Sequence, residues 1–342
     1  MTHTNPSDEF WNSGYWKILK EVPARIIRPI YIGEGWFDHH LSSALQTYEA
    51  LSPESRMHSV VKIGPWNHFF NPCVEGKECL NMNHSDIQSA FIWFDNILRK
   101  KQWPEGKVHY YEIGGNQWLE APSYPFPSDK TLTYYFSAAA KQQDKSYGLI
   151  TLEEEHGSEL SYIYDPEKPI LSHGSESLLK TTKEIGSLKQ PECGWRDDVI
   201  SFLSEPLPEE IRVLGSIKIK LQVSSTAEDI CFTAKVIEVR PDGEAYNIRK
   251  GITTQAYRNS QTPSRMTYTP QTKVEAVIDL WDITWKFSTG SRIRIDIASS
   301  DFPQYSIHTN YPGVWSEQVE SKIAEQTLYV GGQSSQVIIP IS

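Results

Sequence analysis

The chain has 342 residues, 39% hydrophobic and 22% charged, a balance that fits a globular protein with room for two or more domains and excludes a disordered chain. Its formal net charge of −10 argues against nucleic acid or an anionic membrane surface as the main partner. No run of about 18 apolar residues predicts a membrane span, and Met1–Asp8 show neither the basic nor the apolar region of a secretory signal.

In chain order, the first hundred residues alternate strand and helix. The apolar run Ile26–Glu34 predicts a buried strand ended by glycine, Leu41–Leu51 a helix, and Ser59–Gly64 a second buried strand. Asp86–Lys101 predicts the clearest helix. Ser85 stands at its N-cap, Ile87, Ala90, Phe91, Phe94, Ile97 and Leu98 form one stripe, and Arg99, Lys100 and Lys101 sit at its negative end. Strands alternating with helices predict a parallel sheet.

From about residue 104 the helical period gives way to short alternating runs. Ile217, Ile219, Leu221 and Val223 alternate with Lys218, Lys220 and Gln222, and Ile293, Ile295 and Ile297 with Arg294 and Asp296. Pro241-Asp242-Gly243 predicts a hairpin turn between Cys231–Arg240 and Ala245–Thr254. Many short strands with turn signals predict an antiparallel sandwich or jelly roll. The polar stretch Lys141–Glu159 reads as a long surface excursion. The four cysteines, Cys73, Cys79, Cys193 and Cys231, read as free thiols of a reducing compartment, the cytoplasm.

Two motifs carry the chemistry. Gly35-Trp36-Phe37-Asp38 follows Ile30-Tyr31-Ile32, and Gly64-Pro65-Trp66-Asn67-His68 follows Val60-Val61-Lys62-Ile63. Each puts one titratable residue just after a strand-like run, where open α/β sheets place catalytic groups. An acid followed by a histidine is the order of the last two members of an α/β-hydrolase triad. The first member would be a serine in G-x-S-x-G, and that motif is absent from the sequence. The plainer reading of the residues is that Asp38 caps the next helix and His68 is a surface turn residue.

Three other readings are set aside. His39 and His40 invite a metal, but there is no H-E-x-x-H and no third ligand at a recognisable spacing. Cys73, five residues past His68, lies in no nucleophile elbow. Asp95 reads as a solvated helix residue.

These landmarks continue in order along the chain. They include Asp8-Glu9-Phe10-Trp11, Trp93-Phe94-Asp95, Gly114-Gly115-Asn116-Gln117-Trp118, Tyr164-Asp165-Pro166, Ser201–Leu207 and Ser299-Ser300-Asp301-Phe302-Pro303. Together they resemble the C-terminal part of the X-Pro dipeptidyl-peptidase and cocaine-esterase family of serine hydrolases, whose relatives include ester hydrolases and acylases. Ser291 and Cys231 depart from that pattern, where His and a second Asp are common.

The resemblance implies an α/β-hydrolase remnant over residues 1–103, its last parallel strands and helices, followed by an all-β, galactose-binding-like jelly roll over 104–342. It implies that His68 is the general base and Asp38 its orienting acid, with no cofactor and no metal. Trp36, Trp66 and Phe69, with Phe70, either wall an acyl pocket or pack the seam between the two parts. The substrate would be a small ester or amide, or a peptide. Because the serine is missing, the chain is expected to be nearly inert alone. It is expected to dock on a partner chain carrying the serine half, or on a second copy of itself. The rival expectation is a non-catalytic jelly-roll module for binding or assembly, or a truncated relic.

Overall fold

The computed structural model describes residues 3, 7–80, 86–128, 130–141, 145–152, 154–174, 176–177, 181, 183–259, 266–332 and 335–342. The proposed Ser85 cap lies outside them. Two sheets dominate. In the first, β1 (Tyr31–Phe37), β2 (Val60–Asn67) and β3 (Lys107–Glu112) run parallel, and β4 (Gln117–Ala121) returns antiparallel beside β3, in the order β1-β2-β3-β4. The first sheet therefore continues past residue 103, and β1 is its outer strand.

The second sheet comprises β5 (Lys130–Lys141), β6 (Ser146–Ile150), β7 (Ser158–Tyr164), β8 (Ile200–Ser204), β9 (Ile211–Ser225), β10 (Cys231–Val239), β11 (Ala245–Thr254), β12 (Val274–Phe287), β13 (Arg292–Ala298), β14 (Ala324–Val330) and β15 (Gln336–Ile341). Its order is β11-β10-β13-β8-β6-β5-β15-β9-β14-β7, with β12 beside β9. All pairings are antiparallel except β6 with β8.

Local chemistry explains where elements start and stop. The strand expected from Ile26 begins only at Tyr31, because Pro29 has no N–H to give a ladder. Glycine does not end it: Gly33 and Gly35 lie inside β1. Helix Leu41–Ala50 forms where its period predicts. The expected helix at Asp86–Lys101 is α-helical only to Phe94 and then widens to a π-turn over Asp95–Arg99. Asp95 there pairs with Arg99 and Lys100. A further helix, Gly14–Arg25, carries Pro23 in its last turn and has no counterpart in the sequence reading. The hairpin at Pro241-Asp242-Gly243 closes as expected, with Gly243 at a φ of +86°. The expected excursion at Lys141–Glu159 is partly strand, because Leu149 of β6 reaches the core.

One continuous core joins the sheets. It runs from Trp36, Phe37, Leu41 and Leu45 through Tyr111 and Ile113 to Ile217, Ile219, Ile283 and Trp285. Polar contacts pin the same seam. The Lys286 N–H donates to the Ile113 carbonyl at 2.8 Å, Arg212 pairs with Glu112 at 2.8 Å, and the Tyr124 hydroxyl donates to Asp282 at 3.0 Å.

Candidate active site

The carboxyl ends of β1 and β2 place the two residues of interest. β1 ends at Phe37 and β2 at Asn67, so Asp38 and His68 leave adjacent parallel strands side by side. His68 Nδ1 lies 3.0 Å from Asp38 Oδ2 and 3.2 Å from Oδ1. An ionised carboxylate only accepts, so Nδ1 carries the proton and Nε2 is left with a free lone pair. Asp38 is buried, whereas the His68 side chain is 38% exposed. The pair thus presents a solvent-facing base on a shielded acid.

Asp38 does not cap the next helix, whose N-cap is His40 with no side-chain cap bond, but braces the turn that leads into it. Its Oδ1 accepts the His40 N–H at 2.9 Å, and its carbonyl accepts the Leu41 N–H at 3.2 Å as helix Leu41–Ala50 begins. One carboxylate can brace this turn and hold the His68 ring together because it has acceptor sites to spare.

The turn behind His68 is built by a neighbour to which the sequence reading gave no role. The buried Asn67 Oδ1 accepts the N–H groups of Phe69 at 2.9 Å and Asn71 at 3.3 Å, and Phe70 takes a φ of +56°. Upstream, Gly35 and Gly64 face each other across β1 and β2. A Cβ on Gly64 would meet the Trp66 ring at 2.3 Å, and one on Gly35 the Trp66 carbonyl at 2.1 Å. The two glycines are there to let Trp66 fold back over the strands. Their signal in the sequence was a glycine three or four residues ahead of each titratable residue.

The proposed pocket residues part company. Trp36 is wholly buried and donates its indole N–H to the Tyr111 carbonyl at 2.8 Å, which leaves no face for a substrate. Trp66 is also buried, packed against Phe70 and Trp118. Phe69 alone of the three is open, 54% exposed, with its ring 5.6 Å from His68. Cys73 is buried, which pushes its thiol pKa far up and removes it as a nucleophile. Cys73, Cys79 and Cys231 are free thiols.

His39 and His40 stand differently from what their spacing implied. Their rings lie 4.9 Å and 5.3 Å from the His68 ring, so the fold supplies the third histidine that the local sequence lacked. Burial, reinforced by His40 beside it, holds the His39 imidazole below its ordinary pKa.

Comparison with known proteins completes the picture. Residues 101–339 match the family described as the X-Pro dipeptidyl-peptidase C-terminal non-catalytic domain. Asp38 and His68 precede that stretch. The chain is 28% identical over 349 residues to cocaine esterase of Rhodococcus sp. (strain MB1 Bresler), covering 98% of this chain and 59% of that enzyme. Among solved structures, it superposes on an aminopeptidase of a marine-sediment Thaumarchaeota archaeon with a TM-score of 0.81 at 21% identity, covering 99% of this chain and 58% of that one. An α-amino acid ester hydrolase gives the same TM-score, 0.81, and identity, 21%, with 99% and 59% covered. At that identity the structures speak for the fold alone. The chain spans about three-fifths of the length of these relatives. It belongs to the X-Pro dipeptidyl-peptidase and cocaine esterase family, of which it carries the C-terminal part.

Proposed function

We propose that this chain supplies the acid and base of a serine hydrolase acting on small esters or amides, while the nucleophilic serine comes from a segment outside these 342 residues. The observation that carries the reading is the 3.0 Å contact of His68 with the shielded Asp38 at adjacent parallel strand ends. Residues 1–37 hold no G-x-S-x-G, and in α/β-hydrolases the serine precedes the acid. The missing elbow would therefore lie upstream in a longer polypeptide or on a second chain.

In the assembled site, His68 Nε2 takes the serine hydroxyl proton as the oxygen attacks the acyl carbon. The imidazolium, steadied by Asp38, returns that proton to the leaving alcohol or amine. Water then attacks the acyl-enzyme by the same route. The second sheet is read as a jelly roll that packs against this unit. The free thiols of Cys73, Cys79 and Cys231 suit a reducing compartment, and we place the chain in the cytoplasm.

A second reading, a non-catalytic binding module, draws on one observation. A cavity of about 250 Å³ lies against β10, β11 and β13, between the Trp195 side chain and the amines of Lys235 and Lys250. Among the described residues the Lys235 amine bonds to the neutral Gln190 amide, at 2.9 Å, while Asp301 is committed to Lys250 and Asp296 to Arg294. Such a pocket suits a small amphipathic carboxylate.

The deciding experiment is fluorophosphonate labelling with p-nitrophenyl acetate turnover. It is run on the chain alone and on the chain joined to, or mixed with, a serine-bearing segment. The expected result is labelling and turnover only when the segment is present, both lost in His68→Ala. Absence of both in every sample would leave the binding-module reading.

A further inference from the structure

We infer that His39, His40 and His68 form a site for one divalent transition-metal ion, zinc in particular, at the mouth of the candidate active site. One ring nitrogen from each residue lies within 4.8 Å of the other two. In a tetrahedral zinc centre with bonds of about 2.0–2.1 Å, neighbouring ligand atoms stand about 3.4 Å apart. The remaining gap closes by ring rotation, because His40 is exposed and His68 is partly so.

The surroundings are those a histidine-bound metal needs. Asp38 holds the Nδ1–H of His68 at 3.0 Å and also stands 3.4 Å from the His39 ring. A carboxylate behind a ligating imidazole fixes its tautomer, aims its other nitrogen at the metal and raises its basicity. Asp38 would also offset part of the ion's charge. Imidazole donors suit zinc, copper and nickel rather than magnesium or calcium. Three protein ligands leave a fourth position for water.

The arrangement follows from two separate features of the sequence. His39 and His40 are neighbours in the turn that starts helix Leu41–Ala50, and His68 arrives from the next strand. The site itself does not depend on the hydrolase reading. One consequence does rest on it: a metal on His68 Nε2 takes the lone pair that would accept the serine proton, so zinc would silence the assembled hydrolase.

The test uses the untagged, chelator-treated chain with no serine-bearing segment, so its outcome is separate from any catalysis. Zinc is titrated by calorimetry, and cobalt is added as a spectroscopic probe. The expected result is one equivalent of zinc and the strong visible absorption of four-coordinate cobalt. His40→Ala and His68→Ala should each weaken binding by about tenfold or more, and Asp38→Asn, which spares the ligands, by about tenfold. His173→Ala, far along the chain, should change nothing. Because His40 is exposed and packs in no core, its variant keeps the fold, which an unchanged melting temperature verifies. Absence of saturable binding, or equal affinity in the His39→Ala/His40→Ala chain, would overturn the site.

Discussion

Asp38 accepts hydrogen bonds from two directions, the His68 ring at 3.0 Å and the His40 N–H at 2.9 Å, and a substitution must be chosen to separate them. Asparagine keeps an acceptor for the turn but loses the charge that holds the histidine tautomer. In the assembled hydrolase, Asp38→Asn should therefore lower kcat by about 10⁴-fold, the loss that the same change causes in a well-studied protease, with little loss of stability. A large fall in melting temperature without a fall in turnover would contradict this. Gly64 poses the opposite case, in which shape matters and charge does not. A methyl group there would meet the Trp66 ring at 2.3 Å and must displace it or the strand. Gly64→Ala should cost about 1–3 kcal/mol in urea unfolding and disturb the turn that carries His68. Both residues were visible in the sequence motifs. What the motifs could not show was why glycine stands there, since the reason is a ring two residues along that folds back across the strands.

Elements were legible where one local period governs them. Helix Leu41–Ala50, the hairpin of β10 and β11, and the inward row Ile217, Ile219, Leu221 and Val223 follow directly from spacing. Alternation misled at β13, where Arg294 and Asp296 are as hidden as the isoleucines between them. There a bidentate ion pair at 2.7 Å, with Ser201 bonded to the same carboxylate, replaces water on the second face. Joining of the two sheets into one core was not legible, because the polar contacts that pin its seam link residues a hundred or more positions apart. The seam contact of Tyr124 with Asp282 offers a measurable pH signature. Burial is the main reason that the Asp282 carboxyl pKa is raised, although the Tyr124 hydrogen bond works against it. A folded state with a raised carboxyl pKa binds that proton more tightly than the unfolded chain. This group then favours folding most below its unfolded pKa of about 3.9, and its contribution declines as pH rises through the carboxyl range. Asp282→Asn keeps an oxygen for Tyr124 and removes the charge. It should melt higher than the parent at pH 7, with the difference closing by about pH 3. A constant offset across that range would mean that the effect is packing and not ionisation.

At the scale of the whole molecule, apolar surface gathers on the helices of the first hundred residues. Phe91 is 70% exposed, Ile87 63% and Leu98 61%, and they belong to the one stripe that the sequence marked as core-facing. Helix Gly14–Arg25 likewise leaves Tyr15, Ile18 and Leu19 in water. The helix from Asp86 packs beside β1, the outer of three parallel strands, and parallel strands are ordinarily covered on both faces. A stripe with core periodicity that meets no core implies an absent partner surface. About two-fifths of the relatives' own length lies outside the part this chain spans, and the triad order puts the serine in what precedes Asp38. Under the proposed function, the occupant to test is the serine-bearing part of the hydrolase fold, with a strand beside β1 and its core on the helices. Replacing Ile87, Phe91 and Leu98 with serine tests this without touching Asp38 or His68. Each large apolar side chain buried on docking is worth about 1.5–3 kcal/mol, so the triple variant should weaken assembly by about a thousandfold or more in Kd. Its own melting temperature should hold, because these side chains are largely exposed in the chain alone, and its binding of an apolar dye should drop. Turnover with the serine-bearing segment would then be lost at concentrations that support the parent and return when the segment is raised in excess. Full complementation by the triple variant at parental concentrations would show that the stripe is not the docking face and would move the search to the open edge of β1.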